Sequence, residues 1–146
     1  MKNTIKVFVL VALTLAAMSV SAQVKLGHIE TQKLIQAMPE WTAAQKTFEE
    51  EQKKVNTELN SLREQFQTKL AEYSEKMKTY SEAMRATTEE ELQGLQQRIQ
   101  RFQETAMAQL EKTQNDLMQP VMEKALNAIK EVGKENGFTY IFDMNA

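Results

Sequence analysis

The chain has no cysteine, one histidine, two prolines and four glycines among its 146 residues. Without cysteine there is no disulfide, no thiolate zinc site, no cysteine nucleophile and no lipid-bearing N-terminal cysteine. Neither sign of charge dominates. The 18 Lys and Arg residues against 20 Asp and Glu leave a net charge of −2, which disfavours nucleic-acid binding by phosphate neutralisation. So few turn formers in a chain rich in Ala, Glu, Gln, Lys and Leu exclude a sandwich or barrel and point to long helices. Catalytic groups are equally sparse. His28 stands alone, the only aspartates are Asp116 and Asp143, and none has the spacing of a triad or metal site. A Gly-x-x-x-x-Gly-Lys phosphate loop is also missing. No enzymatic activity, metal or cofactor is expected.

What is present begins with an export signal over residues 1–22. Lys2 and Lys6 form a short positive region, Val7 to Ala17 is apolar but short for a bilayer, and Val20-Ser21-Ala22 offers small residues for cleavage before Gln23. Removing this segment takes away two lysines and leaves the mature chain more acidic. No later stretch is long and apolar enough to span a membrane. A soluble exported product is expected.

Residues 23–40 read as the first part of a small body. Val24, Leu26 and His28 alternate with their neighbours as in a strand, Thr31 can cap a short helix through Met38, and Pro39 suits the first turn of the next helix or a break before it. From Trp41 the pattern is helical. Apolar residues fall at Trp41, Ala44, Phe48, Val55, Leu59, Leu62, Phe66, Leu70, Tyr73, Met77, Tyr80 and Met84, with Gln52 at the one missing turn. The average step is about 3.58 residues, nearer the straight helix than the 3.5 of a left-handed supercoil. Such a helix would be about 66 Å long at roughly 1.5 Å per residue. Its narrow apolar seam requires a partner of similar length.

That partner follows in the chain. Thr88-Glu89-Glu90-Glu91 has the form of a capping box. A second seam then runs through Leu92, Leu95, Ile99, Phe102, Ala106, Leu110, Thr113, Leu117, Val121, Ala125, Ala128 and Val132. Two matched seams make an antiparallel αα-hairpin over residues 41–134 with its tip near 85–91. Pairing Met84 with Leu92 would set Trp41 opposite Glu135 and Pro120 opposite Asn56. Pro120 lacks the amide that would bond to the Asp116 carbonyl, so a bend or hinge is expected there. Residues 135–146 hold the returning strand: after Gly133 and Gly137, Phe138-Thr139-Tyr140-Ile141-Phe142 is β-branched and aromatic with period two. Two short strands are marginal alone. Val24, Leu26, Ile29, Phe138, Tyr140 and Phe142 are therefore candidates for an oligomerisation body shared between copies. The fold class is mainly α, a long hairpin or tentacle on a small β-containing body.

Leu26-Gly27-His28-Ile29, Gln32-Lys33-Leu34 and the Ala43-Ala44-Gln45-Lys46 start of a long Glu/Gln/Lys-rich helix resemble the opening of the Skp/OmpH family of periplasmic chaperones. Ile129-Lys130-Glu131-Val132-Gly133-Lys134-Glu135-Asn136-Gly137-Phe138, running into Tyr140-Ile141-Phe142-Asp143, is similar to its close. The resemblance implies a homotrimer whose three tentacles enclose a cavity and hold unfolded outer-membrane β-barrel proteins without ATP. It also implies a further strand and helix past Asp143, whereas this sequence ends at Ala146. Well-known members are basic; the acidity of this mature chain argues against recruitment by positive charge.

A surface that accepts many client sequences suits methionine, whose thioether side chain is flexible and polarizable. Met77, Tyr80 and Met84 lie on the first seam near the expected tip. Met107, Met118 and Met122 each follow the second seam by one residue, and Leu126 continues the row. The row widens the apolar stripe of the second arm, either to pack on the first arm or a neighbouring subunit, or to touch clients. The expected function is an ATP-independent periplasmic holdase. The alternative is an envelope adaptor whose hairpin docks a folded partner.

Overall fold

The computed structural model describes residues 24–144; the expected signal segment lies outside them. The order of elements is β1 (Leu26–Ile29), α1 (Thr31–Ala37), α2 (Pro39–Lys76), α3 (Glu82–Glu135) and β2 (Tyr140–Asp143). At about 1.5 Å per residue, α2 is about 57 Å long and α3 about 81 Å. They pack along each other as the antiparallel arms of a hairpin. Among the described residues, no helix is long and apolar enough to cross a membrane.

Pro39 occupies the first position of α2, where its missing amide costs nothing. The α1 terminus is built differently from expectation. Glu30, not Thr31, stands at its N-cap and makes no side-chain cap; instead the Thr31 amide donates to Asp143 Oδ1 at 3.4 Å. A carboxylate from the far end of the chain thus sits at the start of this helix, where the helix dipole favours it.

The tip lies earlier than the capping-box reading places it. Helix α2 ends at Lys76, and Ser81 caps α3, its hydroxyl accepting from the Met84 amide at 3.2 Å. Thr79 and Tyr80 amides both return to the Lys76 carbonyl, closing a turn of a few residues. Thr88 is inside α3, buried on the seam, and its hydroxyl donates to the Met84 carbonyl at 2.8 Å. A threonine that bonds back one turn satisfies itself within a helix, so the capping pattern at 88–91 had a second solution. The whole pairing shifts as a result. Tyr73 meets Glu89, Lys69 meets Glu91, and Glu40 meets Lys124. Trp41 is therefore not opposite Glu135, nor is Pro120 opposite Asn56, which shares a groove with Phe102, Ala106 and Leu110.

The seam residues carry the packing. Ala44, Leu62, Leu92, Ala106, Val121 and Ala125 are buried, and Ala125 is only 1% exposed. Beyond Ala125 the inward face turns to Ile129 and Gly133, leaving the expected Ala128 and Val132 exposed. The reason is a change of partner, because α3 outruns α2 and its last turns rest on α1 and the sheet. Helix α3 continues unbroken through Pro120, which is exposed and flanked by the tightly buried Val121. The bend or hinge expected there thus falls beside a residue buried on the seam.

The strands pair in parallel, Leu26 with Tyr140 through Ile29 with Asp143. A parallel pair needs a long crossover, and the entire hairpin is that crossover.

Candidate functional site

Three exposed apolar surfaces stand out from this frame, one at the body, one along the arm and one at the tip. At the body, Asn136 is the C-cap of α3, and Gly137 takes the left-handed conformation (φ 65°) that lets Phe138 turn back, the Phe138 amide donating to the Gly133 carbonyl at 2.9 Å. Lys25 joins the two chain ends: its ammonium donates to the Asn136 carbonyl at 2.7 Å and lies 4.4 Å from the Phe138 ring centroid. A cation at a helix C-terminus and over an aromatic face is favourable on both counts.

One face of the sheet is pressed against helices. A Cβ on Gly27 would stand 3.1 Å from the Phe138 ring, and one on Gly133 would stand 3.0 Å from Ile141 Cδ1. Gly133 lets α3 approach the sheet closely and Gly27 leaves room for the Phe138 ring, requirements that their spacing alone did not reveal. Next to them a cavity of about 190 Å3 is lined mostly by apolar side chains, including Leu34, Ile129, Phe138 and Ile141. The other face of the sheet is uncovered. Leu26, His28, Tyr140 and Phe142 lie side by side on it, exposed, with the Tyr140 and Phe142 rings 6.3 Å apart. Val24 and Met144, both exposed, extend the patch at its two ends. Of the six candidate body residues, Val24, Leu26, Tyr140 and Phe142 belong to this open patch, whereas Ile29 and Phe138 are half-buried toward the helices. His28 and Met144 were the residues missed, although strand alternation through Leu26 and past Phe142 is their signal.

The arms are polar outside their seam, apart from methionine and Leu126. Met107 is 74% exposed and Met122 52%, Leu126 is exposed beside them, and Met118 is half-buried. Met107 and Met122 are thus largely open, whereas Met118 is partly covered. Met107 also borders a groove of about 480 Å3 between the arms, formed where Ala106 faces Val55 and Leu59. Met77 and Met84 are exposed on either side of the turn, and Tyr80 is half-buried against Tyr73, ring centroids 6.3 Å apart. The structure therefore gathers Met77, Tyr80 and Met84 at the tip and Met107, Met118 and Met122 along the lower arm, as two separate surfaces.

Ionisable groups serve the scaffold. The Lys124 ammonium donates to Glu40 and holds that carboxyl below its ordinary range. The Tyr73 hydroxyl donates to Glu89, which pushes the phenol above its ordinary value. Asp116 pairs with Lys112 at 2.7 Å and Asp143 serves α1, so both aspartates bond to neighbouring protein groups. Among the described residues, no group of three or more His, Asp or Glu side chains is placed to hold a metal ion.

A family model for outer membrane proteins of the OmpH-like kind matches residues 25–146. The chain belongs to the OmpH-like family. Membership supports a role of the outer-membrane-protein chaperone kind in a family that is periplasmic and not known as enzymatic. A search of curated proteins found no match. For this OmpH-like chain the family likeness and the geometry agree on a mainly α hairpin above a small sheet.

Proposed function

We propose that this protein is an ATP-independent holdase, exported to the periplasm by a signal peptide over residues 1–22, that keeps unfolded outer-membrane β-barrel proteins from aggregating. The observation that carries the reading is the exposure of Met107, Met122 and Leu126 along an otherwise polar arm. Flexible apolar side chains on a rigid rod can contact many sequences without a shaped pocket. A holdase also needs a body that fixes several arms around a client. The uncovered sheet face and its two free edges supply the surface for self-association, as a homotrimer by family likeness.

Dilution of an unfolded outer-membrane β-barrel protein into buffer, followed by turbidity, tests the function. Protection of several such clients, equal with and without ATP and little changed by moderate salt, is expected. An adaptor for a folded partner would leave turbidity unchanged. Self-association is tested by light scattering on the mature protein; a stable, cooperatively folded monomer at micromolar concentration would remove the shared body.

A further inference from the structure

The sulfur atoms of the arms are partitioned by burial. Every residue buried on the hairpin seam, from Ala44 and Leu62 on α2 to Thr88, Leu92, Ala106, Val121 and Ala125 on α3, is free of sulfur. Methionine stands instead outside the buried seam, with Met107 74% exposed, Met122 52% exposed and Met118 half-buried. Met107, Met118 and Met122 follow Ala106, Leu117 and Val121 by one residue, which sets them about 100° around α3 from the seam. With no cysteine in the chain, no thiol competes for an oxidant.

We propose that the Met107–Met118–Met122 row is a redox-sensitive switch, on which a peroxide turns off client holding without unfolding the hairpin. The inference rests on the holdase reading above and adds its regulation. The sulfur lone pair attacks one oxygen of hydrogen peroxide and the O–O bond breaks. That oxygen stays on sulfur as the sulfoxide after passing its proton to the departing hydroxide, which leaves as water, so sulfur loses the two electrons the peroxide gains. The product is a polar, chiral group in place of an apolar one. On the row it removes the apolar character that client contact uses. At the seam nothing changes, because Val121 and Ala125 offer no oxidisable atom. Met107 and Met122 react before the half-buried Met118, since access governs the rate. The change is reversible by methionine sulfoxide reductases, one for each sulfoxide epimer.

The test treats the full mature protein with graded hydrogen peroxide. Sulfoxide is read residue by residue by peptide mass spectrometry, and protection of an unfolded β-barrel protein is measured at each dose. The concentration for half-protection is expected to rise about tenfold in step with sulfoxide at Met107 and Met122. Helical circular dichroism and sedimentation should stay constant, and the paired reductases should restore protection. In a variant carrying Met107→Leu, Met118→Leu and Met122→Leu, peroxide should lower protection less than about twofold relative to that variant's own untreated form. Undiminished protection by a fully oxidised row would overturn the switch. So would a loss that tracks Met77, Met84 or Met144, or one accompanied by lost helicity or altered sedimentation, since the row would then be structural. Failure of the untreated protein to protect would strike the holdase reading itself.

Discussion

The two ends of the hairpin are held by different physics. At the body end, small residues allow close approach: Val121 and Ala125 are buried against α2, and Gly133 brings α3 against Ile141. Near the tip, Thr88 and Leu92 are buried on the seam, but the arms are also joined by polar contacts between partly exposed side chains, Tyr73 with Glu89 and Lys69 with Glu91, and Met77 and Met84 stay exposed. Contacts between close-packed small residues cannot be replaced by water, whereas exposed ion pairs exchange with it at little cost. The base thus depends more on close fit at Gly133, and the tip leaves more apolar side chain open.

The sharpest way to break this contrast is to overfill the base. Gly133→Leu places side-chain atoms where Ile141 already sits, and a loss of about 2 kcal/mol is expected in urea unfolding. Gly133→Ala should be near neutral, because the clash is with the far end of one flexible side chain and alanine favours the helix by about 1 kcal/mol. A smaller effect of opposite sign is expected at Pro120. Pro120→Ala should restore the bond to the Asp116 carbonyl, stabilise the protein by about 1 kcal/mol and slow amide exchange around Asp116. If exchange and the range of client sizes protected both matched wild type, Pro120 would be a fixed bend and not a hinge.

pH separates the ends without mutation, though with smaller effects. The Glu40 carboxyl is held low chiefly by its bond from Lys124, so its contribution is complete above the ordinary carboxylate range and disappears as pH falls through the lowered value. Trp41, the only tryptophan, adjoins that pair, and its fluorescence should report the loss in acid. The Tyr73 phenol is raised chiefly by its bond to Glu89. Its contribution is complete below the ordinary phenol value and is lost as pH rises through the raised one. Tyr73→Phe should have the smallest effect of all, a faster amide exchange confined to the tip, with the alkaline transition abolished. Equal acid and alkaline sensitivity at both ends would erase the distinction.

The arms were legible because a seam repeats its signal every turn. Leu59, Leu62, Phe66 and their partners Leu95, Ile99 and Phe102 mark one face whatever the register. The tip was less legible because two serine or threonine positions compete for one cap. Thr88 has the better capping-box spacing, yet Ser81 caps the helix, since the turn after Lys76 closes first and the seam can absorb Thr88. Nothing local tells a threonine whether its hydroxyl will bond forward to a free amide or back to a carbonyl. The candidate methionines were visible as a row from their spacing, but their exposure was not.

Composition and periodicity alone determined that this protein is a helical hairpin flanked by two short strands, because both are properties of neighbours in the chain. The tertiary structure decided the register of the arms, the parallel pairing of Leu26–Ile29 with Tyr140–Asp143, the switch of the inward face from Ala125 to Ile129 and Gly133, and which methionines remain open. Those outcomes depend on which surface each residue meets across a long stretch of chain, and a helix of period 3.6 presents an acceptable face to more than one partner.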